Sequence, residues 1–320
     1  MIETALSEMD ETVVVIYDSP EVTEVPLAVR SRWLRELYPS IRVIEAWDGP
    51  TQVGYTPEIM QAHERYLLEI LGECRITHFY SSEPYGEHMS VALGAIDRRV
   101  DQARQKVPIS ATAIRKNPFA QRDFVEPRVY RDLVVNIAFL GAPSTGKTTL
   151  AERLAREFQT QWMPEYGREY WETHQVNRRL SPGQLVEIAE GHLQREDRLL
   201  ERANRYLFTD TNAITTATFA RYYHGMVEPR LIELADRAVT RYDLTFVCDT
   251  DVPYDDTWDR SGDVKRHTFQ RQVLADLNAR KVPYILLQGC LEERVAQVRQ
   301  VLAHFHKYMN PLALKEILAA

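Results

Sequence analysis

The stretch Gly141-Ala142-Pro143-Ser144-Thr145-Gly146-Lys147-Thr148 decides the fold of the second half of this chain. It has the phosphate-loop pattern of a glycine, four residues and then Gly-Lys-Thr. The apolar run 133–140 before it predicts a buried strand, and Leu150, Leu154 and Phe158 after it recur at helical spacing. A glycine-rich turn between a strand and a helix directs backbone N–H groups and a helix N-terminus at one point. Such an arrangement binds the phosphates of a nucleoside triphosphate.

Several residues of this phosphate loop have an expected role in holding ATP. Lys147 is expected to reach the β- and γ-phosphates, and the Thr148 hydroxyl is expected to bind Mg²⁺. The residues predicted to contact ATP are Gly141, Ser144, Thr145, Gly146, Lys147, Thr148 and Thr149. The alternative, a turn that only caps a helix, leaves the matching strand, loop and helix unexplained. ATP and Mg²⁺ are therefore the predicted cofactors.

The overall composition is that of an ordinary soluble globular protein. The 320 residues are 44% hydrophobic and 27% charged, and a formal net charge of −7 argues against nucleic acid as the main partner. No apolar run approaches the length of a membrane-spanning helix, so no membrane contact is expected. Cys74, Cys248 and Cys290 have no metal-ligand spacing, which indicates reduced thiols and a cytoplasmic location. Whether the protein forms a homo-oligomer is left open.

The pattern along the chain predicts two tandem α/β domains. Single hydrophobic cores seldom exceed about 250 residues, and β-rich runs that alternate with helical patterns are typical of parallel sheets. We predict a first domain over 1–125 and a second over 132–320, with the proline-containing stretch 117–131 as the connection. The predicted strands are 13–17, 42–46, 76–80, 133–140, 206–209, 244–248 and 284–287. Predicted helices include one around Trp33, one from Pro57 to Gly72, and one from Pro182 that opens on a Ser181/Gln184 capping box.

The stretch Pro164-Glu165-Tyr166-Gly167-Arg168 is a candidate acceptor site. It begins 17 residues after Lys147, just past the expected second strand of the domain, so it faces the phosphates of a doubly wound sheet. Glu165 is the predicted base for an acceptor hydroxyl, and Arg168 can bind anionic or hydroxyl groups. The alternative is a surface loop with paired charges.

The acid at the end of strand 206–209 is a candidate Mg²⁺ ligand. Asp210 follows an apolar run, which is where a Walker B aspartate holds the metal and its water shell. The alternative is that Asp210 caps the helix that follows it.

The polar segment 254–266 is a candidate lid over the triphosphate. Arg260 and Arg266 are spaced to close on the nucleotide and to stabilise charge on the transferred group. The alternative is an ordinary solvated loop. We favour the lid because the candidate acceptor site at 164–168 and the candidate Mg²⁺ ligand Asp210 already indicate phosphoryl transfer.

The second domain resembles the ribosylnicotinamide kinase half of the NadR family. The matching stretches are the phosphate loop, 165–170, Asp210-Thr211-Asn212 with Thr215-Thr216, and the lid. The chain departs from the family at Asn212, where a second acid is common, and at Thr257-Trp258, where Asp-Gly is usual. The resemblance implies a kinase in which Lys147, Glu165, Asp210, Arg260 and Arg266 are catalytic and Thr148 and Asp210 hold the metal.

The first domain resembles the nicotinamide mononucleotide adenylyltransferase half of the same family. Ile109-Ser110-Ala111-Thr112-Ala113-Ile114-Arg115 matches the Ile-Ser-x-Thr-x-Ile-Arg signature, which implies that Ser110, Thr112 and Arg115 bind ATP phosphates. Such domains open on a strand and a His-x-Gly-His loop, and no His-x-Gly-His occurs in this sequence. The expected fold class is therefore α/β, with an incomplete Rossmann-like nucleotidyltransferase domain followed by a P-loop kinase domain. The first domain is expected to lack adenylyltransferase activity in the sequence as given.

The resemblance implies that the chain phosphorylates ribosylnicotinamide with ATP to give nicotinamide mononucleotide, and that the first domain binds this product or NAD. Ribosylnicotinamide is flat and cationic, so Tyr166, Trp171 and Tyr254 are candidates to stack on it. Two alternatives remain: a kinase of another nucleoside, and a regulator whose P-loop senses nucleotides.

Overall fold

The structure, a computed structural model, describes residues 1–83, 85–176, 179–253 and 263–308, with the side chains of 263–265 left out. The chain divides into two compact units, Met1–Phe124 and Val125–Ala320. The strands are β1 (Val13–Tyr17), β2 (Arg42–Ala46), β3 (His78–Ser81), β4 (Ile96–Arg99), β5 (Val135–Leu140), β6 (Gln161–Met163), β7 (Tyr206–Asp210), β8 (Leu244–Cys248) and β9 (Ile285–Leu287).

The helices surround these strands in both units. They are α1 (Ile2–Glu8), α2 (Leu27–Leu37), α3 (Pro57–Leu71), α4 (Gly86–Leu93), α5 (Ala111–Lys116), α6 (Pro127–Leu133), α7 (Lys147–Glu157), α8 (Tyr166–His174), α9 (Pro182–Leu200), α10 (Ala213–His224), α11 (Pro229–Ala238), α12 (Asp263–Ala279) and α13 (Leu291–His304). None of those in the described ranges is both long and apolar enough to cross a membrane.

The first unit contains two separate pairs of parallel strands. Among its described strands, β1 pairs with β2 and β3 pairs with β4. Both β1 and β3 line one cavity of about 600 Å³, which Val14 and Phe79 border.

The second unit is built on a five-stranded parallel sheet in the order β6-β7-β5-β8-β9. The central strand β5 is buried along its whole length, which explains why its sequence is almost continuously apolar. Phe139 of β5 stacks between Phe208 of β7 and Phe246 of β8 on one face of the sheet. Helices α7 and α13 cover that face, and α9 to α12 cover the other.

Most predicted elements are confirmed, with small shifts. The expected strand 76–80 occurs as β3, two residues later at its start, and the predicted capping box of α9 is formed. The predicted connection 117–131 contains the boundary between the two units and the start of α6 at Pro127, where a proline in the first turn is tolerated. Helix α1 and strand β4 were not predicted, since each is short and weakly patterned.

Candidate active site

The phosphate loop joins β5 to α7 and needs glycine at two positions. Gly141 has a φ of 134°, and a Cβ placed on it would lie 2.6 Å from the carbonyl oxygen of Cys248. Gly146 has a φ of 79° and is the N-terminal cap of α7. The Thr145 hydroxyl closes the turn by donating to the carbonyl of Ala142 at 2.8 Å. The loop therefore has the tight backbone that lets N–H groups converge on a phosphate.

Lys147 lies at the start of α7 with its ammonium group held by the loop itself. Its side chain is largely buried, and Nζ donates to the carbonyl of Ala142 at 2.8 Å. The positive charge of Lys147 therefore lies at the phosphate loop, and its contact with a phosphate stays a prediction.

Asp210 lies at the end of β7, directly beside the phosphate loop. The Thr148 hydroxyl donates a hydrogen bond to its Oδ2 atom. Asp210 is fully buried, and its Oδ1 atom has no hydrogen-bond partner among the described residues. Burial and the neighbouring charge of Glu165 raise the pKa of this carboxyl to about 6, despite the opposing effect of Lys147.

The pair Thr148 and Asp210 fits a magnesium ion. Mg²⁺ prefers hard oxygen ligands. The Oδ1 atom of Asp210 is buried without a hydrogen-bond partner among the described residues, and a bound cation would offset the cost of burying it. The alternative interpretation, that Asp210 caps the next helix, is wrong. Asn212 is the cap of α10, because its Oδ1 atom accepts the N–H of Ile214 at 3.0 Å.

Glu165 lies between the end of β6 and the first residue of α8. Because β6 is the neighbour of β7 in the sheet, Glu165 lies close enough to Asp210 for its charge to raise the pKa of that aspartate. Glu165 pairs with Arg168 at 3.8 Å, and its carboxylate remains partly exposed. The structure therefore brings together two carboxylates from neighbouring strand ends, one buried and one accessible.

The aromatic candidates on α8 lie in different surroundings. The guanidinium of Arg195 lies 3.9 Å from the centroid of the Tyr166 ring, a cation–π contact. Gly191 of α9 permits the ring to pack closely, since a Cβ there would lie 2.4 Å from it. Trp171 is partly buried on the same helix.

The predicted lid falls mostly outside the described residues, including Arg260 and Tyr254. Arg266 is described and buried in α12, and one of its terminal nitrogens donates to the carbonyls of Thr250 and Val252, both at 2.6 Å. In this structure Arg266 therefore holds the segment that leads into the lid. Contact between Arg266 and a nucleotide stays a prediction.

Two buried residues at the phosphate loop were not predicted from the sequence. Gln270 of α12 accepts the Ala142 N–H at 2.7 Å and donates to the Cys248 carbonyl at 3.1 Å. Arg294 of α13 donates to the Thr145 carbonyl at 2.6 Å. Neither residue belongs to a motif. The sequence signal that could have identified them is that each is a polar residue at a position where the helical pattern predicts burial.

The predicted phosphate ligands of the first unit lie around the start of α5. The Ser110 hydroxyl caps this helix by accepting the Ala113 N–H at 3.1 Å. Arg115 donates to the Thr112 hydroxyl at 3.4 Å. The three residues are therefore neighbours on the surface of one short helix, and their role in nucleotide binding stays a prediction.

A glycine-rich loop at the carboxyl edge of a parallel sheet, with a buried aspartate on the next strand, defines the second unit as a P-loop nucleotide-binding domain. Residues 136–294 accordingly match the AAA domain family.

Comparison of the whole chain identifies its relatives more closely. It is 30% identical over 208 residues to the trifunctional NAD biosynthesis/regulator protein NadR of Escherichia coli, with 64% of this chain and 49% of the relative covered. The Salmonella typhimurium protein of the same name is 28% identical over 310 residues, with 89% and 74% covered. The chain thus spans about half the length of the first of these relatives and three quarters of the second.

Two solved structures share the fold. A NadR protein in complex with NR has a TM-score of 0.53 and 23% identity, covering 90% of this chain and 84% of that one. A NadR protein in complex with NAD and AMP-PNP has a TM-score of 0.55 and 22% identity, covering 95% and 90%. The chain is similar to NadR proteins over most of its length, in agreement with the resemblance seen in the sequence.

Proposed function

We propose that the second unit transfers the γ-phosphate of ATP to the 5′-hydroxyl of ribosylnicotinamide and so makes nicotinamide mononucleotide. The observation that carries this proposal is the placement of Glu165 beside the Thr148–Asp210 pair at neighbouring strand ends. An accessible carboxylate on the acceptor side and a buried one on the metal side are the two groups that phosphoryl transfer to an alcohol requires.

Each catalytic residue has a distinct proposed role. Lys147 exchanges its hydrogen bond with Ala142 for the β- and γ-phosphates, and the loop N–H groups bind the remaining phosphate oxygens. Thr148 and Oδ1 of Asp210, which has no partner among the described residues, are proposed to hold Mg²⁺, which would neutralise phosphate charge when bound. Glu165 accepts the proton of the acceptor hydroxyl. Arg260 and Arg266 are proposed to approach the transferred group from the lid.

The choice of a nicotinamide riboside rests on the family and on the acceptor side of the site. One NadR structure of the same fold is a complex with NR. Tyr166 and Trp171 lie on α8, which begins directly after Glu165, and their rings are proposed to stack on the flat cationic ring. Tyr254 is the third candidate and lies outside the described residues. One face of the Tyr166 ring already carries Arg195.

For the first unit we propose a nucleotide-binding role without adenylyl transfer. Ser110, Thr112 and Arg115 are proposed to hold phosphates of ATP, nicotinamide mononucleotide or NAD. No His-x-Gly-His is present in the sequence to stabilise charge at an α-phosphate.

The test is phosphate transfer from ATP to a panel of ribosides, with the phosphorylated product separated by chromatography. We expect ribosylnicotinamide to have the highest kcat/KM, and Lys147→Ala to serve as the inactive control. A clear preference for adenosine, uridine or another nucleoside would establish the first alternative. Slow ATP hydrolysis with no transfer to any riboside would establish the regulatory alternative and end the kinase proposal.

A further inference from the structure

The back of the phosphate loop is held by one buried arginine from the last described helix. Arg294 is only 2% exposed, and its Nη1 atom donates to the carbonyl of Thr145 at 2.6 Å. In a phosphate loop the N–H groups turn towards the anion, so carbonyl groups turn to the opposite side. Arg294 is the partner of one such carbonyl, next to Gly146 and Lys147.

The same guanidinium also joins two other loops at the carboxyl edge of the sheet. Its Nε atom donates to the carbonyl of Gly289, which follows β9, at 2.9 Å. Its Nη2 atom donates to the carbonyl of Asp249, which follows β8, at 3.1 Å, and to the carboxylate of Asp251. Asp251 in turn accepts the N–H of Gly289. One side chain therefore connects the phosphate loop with the loops after β8 and β9.

The loop after β8 leads directly into the predicted lid. Its residues Asp249 and Asp251 contact Arg294, whereas Thr250 and Val252 accept hydrogen bonds from Arg266. Two buried arginines thus fix this short segment from two helices. The guanidinium of Arg294 contacts both this segment and the phosphate loop, so it links the two directly.

We propose that Arg294 is a positioning residue for ATP, which sets the backbone of the phosphate loop and couples it to the segment 249–252 after β8, with Asp251 as its charge partner. Arginine suits this role because its planar fork supplies donors in several fixed directions at once, which lysine does not. Arg294 acts through the loop and does not itself contact the nucleotide. The inference rests on the nucleotide-binding part of the proposed function and is independent of the acceptor.

The test compares the affinity of the full chain for a non-hydrolysable ATP analogue with Mg²⁺, measured by calorimetry without acceptor. We expect Arg294→Lys to weaken binding about tenfold, which corresponds to about 1.4 kcal/mol, and Arg294→Gln to weaken it further. Amide hydrogen exchange of residues 144–149 is expected to accelerate in both variants. In the kinase assay, KM for ATP is expected to rise while KM for the acceptor stays within twofold.

Two arginines provide matched controls. Arg299 lies on the same helix but is exposed and pairs with Glu157, so Arg299→Lys tests substitution in α13 alone. Arg241 pairs with the fully buried Glu196 elsewhere in the unit. Arg241→Lys therefore tests the same substitution at a buried ion pair that does not contact the phosphate loop. Both controls are expected to bind the analogue within twofold of the original protein, although Arg241→Lys lowers the melting temperature.

The proposal is overturned if folded Arg294→Lys binds the analogue within twofold of the original protein, because Arg294 would then only stabilise the fold. If both Arg294 variants fail to fold, Asp251→Asn decides the question. That variant keeps the guanidinium and is expected to weaken analogue binding about threefold, and unchanged binding would equally overturn the proposal. Intact analogue binding without riboside phosphorylation would count against the proposed function and not against this inference.

Discussion

The Thr148 hydroxyl donates its hydrogen bond to Oδ2 of Asp210, and this contact joins the first turn of α7 to the end of β7. It leaves the other carboxylate oxygen of Asp210 buried without a partner among the described residues. A buried, unpaired carboxylate oxygen is unfavourable for folding, and such a cost is typical of a functional site.

Replacement of Lys147 with alanine is expected to abolish the proposed kinase turnover. The γ-phosphate would lose its main charge partner, and the loss of one such contact costs about 3–4 kcal/mol, or about 10²–10³-fold in rate. The measurement is steady-state turnover with saturating riboside. Lys116→Ala, on the exposed surface of α5, is the matched control and should leave turnover unchanged. Lys147→Ala activity above half that of the original protein would contradict the phosphate-loop assignment.

Glu165→Gln is expected to lower kcat far more than it weakens ATP binding. The substitution removes the proposed base and leaves the phosphate loop intact, so the loss falls on the chemical step. Pre-steady-state and binding measurements separate the two effects. Glu172→Gln, on the exposed side of the same helix, is the control. Near-normal kcat in Glu165→Gln, together with loss of catalysis in Asp210→Asn, would show that the base is assigned to the wrong carboxylate.

Asp210→Asn is expected to stabilise the nucleotide-free protein while it removes activity. The pKa of Asp210 is raised from 3.8 to about 6 by burial and by Glu165, so the folded state binds more protons than the unfolded state between these values. Stability therefore falls as pH rises through this window, by on the order of 3 kcal/mol in total. The asparagine variant avoids that loss.

Urea denaturation at pH 5 and pH 8 measures this effect. The stabilisation by Asp210→Asn is expected to be larger at pH 8, where the native carboxylate is ionised. Asp123→Asn, at an exposed site in the first unit, should show no such pH-dependent gain. Equal stability of Asp210→Asn and the original protein at pH 8 would contradict this prediction, because it would show that ionisation of the buried carboxylate does not destabilise the folded protein.

The 320-residue chain is expected to make no NAD from ATP and nicotinamide mononucleotide. Ser110, Thr112 and Arg115 can hold phosphates, but no histidine pair of the His-x-Gly-His type stabilises charge at the α-phosphate. Product analysis by chromatography, with riboside phosphorylation in the same preparation as the positive control, decides this point. Robust NAD formation would mean that other residues carry out adenylyl transfer.

Local sequence signals account for the parts of the site that were predicted correctly. The phosphate loop lies between β5 and α7 because its glycines, the apolar run before it and the helical pattern after it all occur within residues 133–158. Asp210 and Glu165 were placed at strand ends because in a parallel sheet the carboxyl ends of strands share one edge. Ser181 and Gln184 form their capping box within a single turn.

The roles of other residues depend on partners that are remote in the sequence. Gln270 and Arg294 contact the phosphate loop across 128 and 149 residues, and nothing in their neighbouring sequence distinguishes them from ordinary helical residues. Arg266 was assigned to the lid by its spacing, yet packing directs it to the carbonyls of Thr250 and Val252.

Periodicity, glycine placement and helix capping act between near neighbours, so the order of elements and the position of the phosphate loop could be inferred from the chain alone. Burial and electrostatic environment arise only when distant segments pack together. The buried, unpaired oxygen of Asp210, its raised pKa and the junction formed by Arg294 therefore depended on the folding of β7, α12 and α13 around one edge of the sheet.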